Sequence, residues 1–254
     1  MIAHTGFQTA IKANSTSRGM PSLRYVPETI APAKDTIENI EKEIDEHVLD
    51  GVIDRLTKPL TDEESSPKRP VLQKEANRIV FQGDIGEVNR FFYRRGWTDG
   101  LPVIPPTEEA VADMLTGTDL SPDYIVGELE PMRGKATVEK IAINAVMAGC
   151  LPTYMPVLIA AVRASLDPIA HGNGWAVSAG SWAPIWIING PLTGQINLNN
   201  GTGMLSPGDI ANAAIGRAMS LMIKNFRGTR KNLEDMGSFG NPAKYSLKAK
   251  TSAA

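Results

Sequence analysis

The chain has one cysteine and three histidines in 254 residues, so its candidates for nucleophilic and acid–base chemistry are few. Cys150 closes the run VEKIAINAVMAGC, directly after Gly149. A helix ending there would put the negative end of its dipole beside the thiol, which disfavours a thiolate. Two roles stay open: a small buried apolar residue, or a reactive thiol if the next turn places it at the start of the following helix. His171 stands in AHGNGW, between residues that open the backbone to a ligand. A loop histidine can act as a general base or ligand, or can simply face solvent. His4 and His47 lie far away in sequence, and no histidine–cysteine spacing suits a metal. His171 and Cys150 are therefore the catalytic candidates. No metal is expected, and the cofactor is left undefined.

Groups that could bind an anion are more numerous. Arg94, Arg95, Trp97 and Asp99 precede LPVIPPT, where two glycines and three prolines force an irregular loop. A rigidly held arginine suits a carboxylate or phosphate, and equally a salt bridge to a neighbouring acid. Arg217, in IGRA, has the same two readings. The stretch from Asn197 to Gly208 is rich in Asn and Gly and leads into a helical pattern at Asp209. A strand, a glycine-rich loop and a helix N-terminus form an anion site when the first N–H groups stay unpaired. The loop matches neither GxGxxG nor GxxxxGK[ST], so it does not specify a nucleotide. The substrate-binding candidates are Arg95, Asn199, Gly201, Gly203 and Arg217. The N–H groups of residues 200–209 are expected to face a cavity.

These residues need elements to hold them. Ile185–Ile188 reads as a short buried strand. Ile210, Ala213, Ala214, Ala218, Leu221 and Met222 recur at three- and four-residue steps, giving a helix from about Asp209 to Asn225 with Gly228 near its C-cap. Thr137 caps a helix that ends at Gly149. A nearly all-apolar helix follows, from about Thr153 to Leu166, and its composition marks it as buried. Thr107 opens a short helix that Gly117 ends, and Tyr124–Leu129 is a possible strand. Ile85, Val88, Phe91 and Phe92 suggest one helix or two short ones.

The N-terminal third has a different character. Residues 1–34 show no lasting period and read as extended or unstructured. From Asp35 to Lys58, Ile37, Ile40, Ile44, Val48, Val52 and Leu56 form one apolar stripe, with Asp35 and Glu38 resembling a capping box. Residues 59–74 read as a linker. The expected organisation is an arm with linker over 1–74, its isolated amphipathic helix at 35–58, a globular domain over 75–228, and a polar tail over 229–254 that frays. The stripe needs a surface to cover it, supplied by its own domain or by another chain. The fold class is α/β or α+β, with apolar helices packed on a small sheet.

Composition narrows the partners. A net charge of −2 implies no polyanion partner, and nucleic acid is not expected. A single cysteine permits no intrachain disulfide, so a reducing, cytoplasmic setting is expected. No apolar run reaches the ~18 residues of a membrane span, and the N-terminus lacks the apolar core of a secretory signal.

Three segments together resemble a bacterial family of unassigned activity: a GWTDGLPVIPPT stretch at Gly96–Thr107, a VEKIAINAVMAGCxPxYMPV pair of helices at Val138–Val157, and an INGP…GTG…PG…AN..IGRA segment at Ile188–Ala218. The resemblance spans roughly Arg94 to Tyr245 and leaves the N-terminal arm outside it. Such proteins look like companions of small UGSC-type proteins, whose Cys or Sec motif implies thiol or selenol redox work. A partner subunit would then carry the reactive sulfur or selenium. This chain departs from the pattern at Ser181-Trp182-Ala183-Pro184, where relatives carry a second histidine, and after Tyr245, where relatives continue with a cysteine and an acidic tail. The expected function is a subunit of a heteromeric enzyme acting on a small organic anion by thiol-linked redox or lyase chemistry. The alternative is a non-catalytic scaffold that stabilises a catalytic partner.

Overall fold

Thr137 begins the best-packed part of the molecule. In the computed structural model its hydroxyl accepts from the Lys140 N–H at 3.2 Å, and helix α7 follows over Val138–Ala148. Gly149 ends it in the left-handed region at φ +84°, where a glycine avoids the penalty of a Cβ. The structure describes residues 2–17, 19–29, 35–65, 80–129, 133–175, 180–182, 184–206, 208–229 and 245–248. The chain divides into two compact units, Met1–Ala76 and Asn77–Ala254.

In the second unit, helix α7 packs against α8 (Met155–Leu166) and α11 (Ile210–Arg227). Val138, Ile141, Ala142, Ala145, Leu158, Val162, Ile215, Ala218, Leu221 and Met222 are completely buried among these three helices. The alanines let the axes approach closely, and the larger side chains fill the space between them. Around this core run α5 (Ile85–Arg94), α6 (Glu108–Leu115), and the short α9 (Gly172–Trp175) and α10 (Leu192–Gln195). Strands β3 (Ile125–Leu129) and β4 (Gly134–Thr137) pair antiparallel. Strand β5 (Ile185–Ile188) pairs in parallel with β6 (Tyr245–Lys248). The architecture is mixed α/β, with apolar helices on two-stranded ribbons.

Two expectations change here. Ile185–Ile188 is a strand, but only one face is covered. Trp186 and Ile188 pack on the core, while Ile185 and Ile187 are exposed, because a strand places alternate side chains on opposite faces. The tail is not wholly frayed: Tyr245–Lys248 supplies β6, since the exposed edge of β5 offers backbone groups to pair with. Residues 230–244 and 249–254 lie outside the described residues.

The first unit holds more regular structure than its sequence suggests. Strand β1 (Ile2–His4) lies parallel to β2 (Val26–Glu28), with helix α1 (Gln8–Ser17) between them in the chain. The described part of 1–34 alternates three-residue strands with one ten-residue helix, so no single period runs through it. Helices α2 (Ile37–Glu43) and α3 (Leu49–Thr57) are joined by one π-helical turn, Ile44–Val48. Thr36, not Asp35, is the N-cap, accepting from Asn39 N–H, while Asp35 accepts from the Thr36 N–H and the Asn39 amide. The short helix α4 spans Asp62–Ser65, inside the expected linker; residues 66–74 lie outside the described residues.

The π turn matters because it inserts an extra residue and rotates the following register. Val48 turns inward and is buried, whereas Ile37, Ile44 and Leu56 of the same sequence stripe are exposed. Gly51 faces Val26, which its missing Cβ allows to approach. Arg24 then closes the end of α3. Its guanidinium donates to the carbonyls of Arg55, Lys58 and Pro59 at 3.1, 2.8 and 2.6 Å, and forks onto Glu64 with two bonds of 2.6 Å. Those carbonyls have no intrahelical partner, so the fork satisfies the helix end directly.

Candidate functional site

Helix α5 starts with a reciprocal capping box between Asp84 and Glu87 and ends at Arg95. Gly96, at φ +69°, turns the chain into the Trp97–Thr107 loop. That loop is tied down along its length. Asn89 on α5 bonds both the N–H and the carbonyl of Val103, at 2.7 and 3.2 Å. From α11, Arg217 grips Asp99 and the Pro102 carbonyl, Lys224 donates to the Gly96 carbonyl, and Asn225 donates to the Trp97 carbonyl. Asn225 also donates to Asn144 on α7 at 2.7 Å. Arg217 thus ties the Ile188–Ala218 stretch to the Gly96–Thr107 stretch, and Asn225, just beyond Ala218 on the same helix, links Trp97 with Asn144 of α7.

Between this loop, α7 and the end of α11 lies a cavity of about 890 Å³. Its apolar wall comes from Phe81, Val88, Phe92, Trp97, Ile143 and Met147. The rings are mutually held: Phe81 stacks on Phe91 at 4.5 Å, and Trp97 meets Phe91 and Phe92 edge-on at 5.9 and 5.3 Å. Two lysines, Lys135 on β4 and Lys140 in the first turn of α7, also line it. Neither makes an ion pair among the described residues. A cation in the first helical turn faces the positive end of the dipole, which an anion placed there would offset. Asn225 spends both amide donor contacts on Trp97 and Asn144, so the orientation of its side chain is set. Gln82, and Thr107 and Glu108 at the start of α6, add to the polar lining.

The residues singled out from the sequence fall elsewhere. Cys150 is buried, and burial pushes its thiol up to about 12, with the nearby Arg217 guanidinium pulling more weakly the other way. It is a neutral thiol in the helical core at neutral pH. His171 is exposed and ends a short 3-10 turn in the left-handed region at φ +46°. It does not line the large cavity. Arg95 is exposed and lies over the Phe91 ring at 5.2 Å and the Trp97 ring at 6.0 Å. That contact makes it a brace for the aromatic wall. Arg217 is engaged by Asp99, through bonds of 3.0 and 3.1 Å, so the salt-bridge reading describes it.

The glycine-rich loop turns its polar groups on itself. Asn199 is its hub, with Oδ1 accepting from Gly201 N–H and Nδ2 donating to Thr202 O and Asp209 Oδ2. Asn212, on α11, bonds the Asn199 N–H and carbonyl, and the Met204 carbonyl. The Met204 and Ser206 N–H groups donate to Gly201 and Gly203 carbonyls. Gly203, at φ +75°, allows that turn. The N–H groups of Gly201, Met204 and Ser206 therefore meet protein atoms rather than a cavity: the Asn199 side chain takes the first, and the carbonyls of Gly201 and Gly203 take the other two. No described residue of this loop lines the large cavity.

Lys135, Lys140, Asn144 and Asn225 were not among the sequence candidates. One signal was present: Lys140 follows a Thr cap by three residues and has no acid at i−4 or i+4, where Ala136 and Asn144 stand. Lys135 and Asn225 carry no such mark, since they meet only through the fold. Comparison with protein-family models, curated proteins and solved structures finds no match to this chain, so the site is read from its residues alone.

Proposed function

We propose that this chain is a subunit of a cytoplasmic heteromeric enzyme that takes up a small organic anion with an apolar or aromatic body. The observation that carries the reading is the cavity of about 890 Å³, with its aromatic wall and two lysines that make no ion pair among the described residues. Ligand sites of this size are mostly apolar and contain a few polar groups that set orientation. Lys135 and Lys140 would hold the anionic group near the α7 N-terminus, and the Phe81, Phe92 and Trp97 rings would cover the apolar body.

The enzyme part of the proposal rests on the family resemblance, which implies thiol-linked redox or lyase chemistry with the reactive sulfur or selenium on a partner. The buried, neutral Cys150 supports that division of labour, because a thiolate is the form that reacts. The same observation also favours a second reading, a non-catalytic scaffold that binds the anion for its partner.

Calorimetry with 4-phenylbutyrate and its neutral amide tests the proposal. The carboxylate should bind at least tenfold more tightly than the amide, and the Lys135→Gln/Lys140→Gln variant should remove that difference. Both lysines are exposed, so the variant should fold. Equal affinity for the two probes, or a preference that survives in the variant, would overturn the site.

A further inference from the structure

We infer that the exposed face of α2 and α3 docks onto a helix of a different protein chain, one that is apolar along a stripe and basic at its edges. This rests on the reading of the chain as one subunit of a heteromer. Leu49, Ile53, Leu56 and Leu60 are 49%, 50%, 80% and 61% exposed. The first three recur at helical steps of four and three, so they form one ridge, and Leu60 lies just beyond the α3 end. Ile37 and Ile44 are exposed on the preceding turns. Soluble chains rarely leave a ridge of this kind uncovered. The opposite side of the helix is already occupied, since Val48 is buried and Gly51 lies against Val26.

The charge around the ridge selects the occupant. Residues 35–65 contain eleven acidic residues and only three Lys or Arg. Two of those three, Lys42 and Lys58, lie 3.9 and 2.6 Å from Glu46 and Asp54 of their own helix. The third, Arg55, acts electrostatically on Asp54 of the same helix. A second copy of the chain would bring an equally acidic rim against this one, and like charges at close range disfavour the pairing. A basic rim on the partner would neutralise it. The same acidity disfavours an anionic membrane surface.

The test uses the full chain and two synthetic 18-residue amphipathic helices, both with a leucine stripe, one edged by lysine and the other by glutamate. Sedimentation equilibrium of the chain alone should give a monomer. The lysine-edged peptide should bind, with affinity falling at least tenfold between 50 and 500 mM salt, and Ile53→Glu/Leu56→Glu should abolish binding while leaving the circular dichroism unchanged. The glutamate-edged peptide should not bind. A dimer that Ile53→Glu dissociates would assign the face to a second copy and overturn the inference. Binding to neutral phosphatidylcholine vesicles, unchanged peptide binding in the variant, or failure of both peptides would overturn it too. Binding of 4-phenylbutyrate is read on the same samples, so failure of the docking face is distinguishable from failure of the cavity.

Discussion

Asp99 and Arg217 stand 118 positions apart and meet through two parallel hydrogen bonds of 3.0 and 3.1 Å. The pair anchors the loop that carries Trp97, Pro105, Pro106 and Thr107 to helix α11, and all four of those residues line the large cavity. Asp99 is nearly buried and Arg217 is partly so. Asp99→Ala would leave the guanidinium without its fork and should cost about 3 kcal/mol, read as a lower urea midpoint. It should also weaken 4-phenylbutyrate binding. Adding Arg217→Met should recover more than half of the lost stability, because an apolar pair needs no counter-charge.

Cys150 should label slowly with an alkylating reagent at neutral pH and rapidly once the chain is unfolded. Its thiol is pushed from an ordinary 9.0 up to about 12 by burial. The sign follows from proton linkage. As pH rises from 9 towards 12, the unfolded chain loses this proton first and the folded chain keeps it. The unfolded state then binds fewer protons, so stability falls across that window. Cys150→Ala should flatten this part of the stability–pH curve. Rapid alkylation of the folded protein would exclude the buried-thiol account.

His171 should prove dispensable for anion binding. It is exposed, stands at φ +46°, and does not line the cavity. Asparagine tolerates that backbone region well. His171→Asn should therefore change stability by less than ~0.5 kcal/mol and leave 4-phenylbutyrate affinity unchanged within twofold. A large loss of affinity would bring the histidine back as a binding group.

Glu64 should make the end of α3 sensitive to acid. The Arg24 guanidinium beside it holds its carboxyl down at about 2, helped by the Thr61 N–H. A depressed carboxylate contributes stability above its ordinary value of 4.5, and that contribution is lost as pH falls towards 2. Hydrogen exchange localised to residues 49–65 should accelerate over that range after correction for intrinsic rates. Arg24→Lys should produce the same acceleration at neutral pH, since an ammonium cannot fork onto a carboxylate while reaching three carbonyls.

Local signals in the sequence determined most of the elements of the second unit. Thr107, Thr137, Gly149 and Gly228 punctuate helices because capping depends on a few adjacent residues, and each stands in the role its type implies. The apolar run of α8 buries Val157, Leu158, Ile159 and Val162, while Ala160 on its outer side is exposed. Residues 37–57 are helical, as their period requires, but the period did not determine which face is covered. Of the stripe, Val48 is buried while Ile37, Ile44 and Leu56 are exposed, and the π turn at Ile44–Val48, which shifts the register within it, leaves no mark in an apolar count.

The site belongs to the other category. The asparagines and glycines of the 197–209 loop looked like ligand groups because their types suit a ligand. They equally suit bonds to one another, and only the position of Asn212 on α11 decided between the two. Arg217 read equally as a binding group and as a salt-bridge partner until the fold brought Asp99 to it. Lys135, Lys140, Asn144 and Asn225 come from β4, α7 and α11, and no spacing along the chain links them. Their common surface exists because α7 and α11 pack side by side, and hydrophobic burial rather than local sequence sets which residues share a cavity.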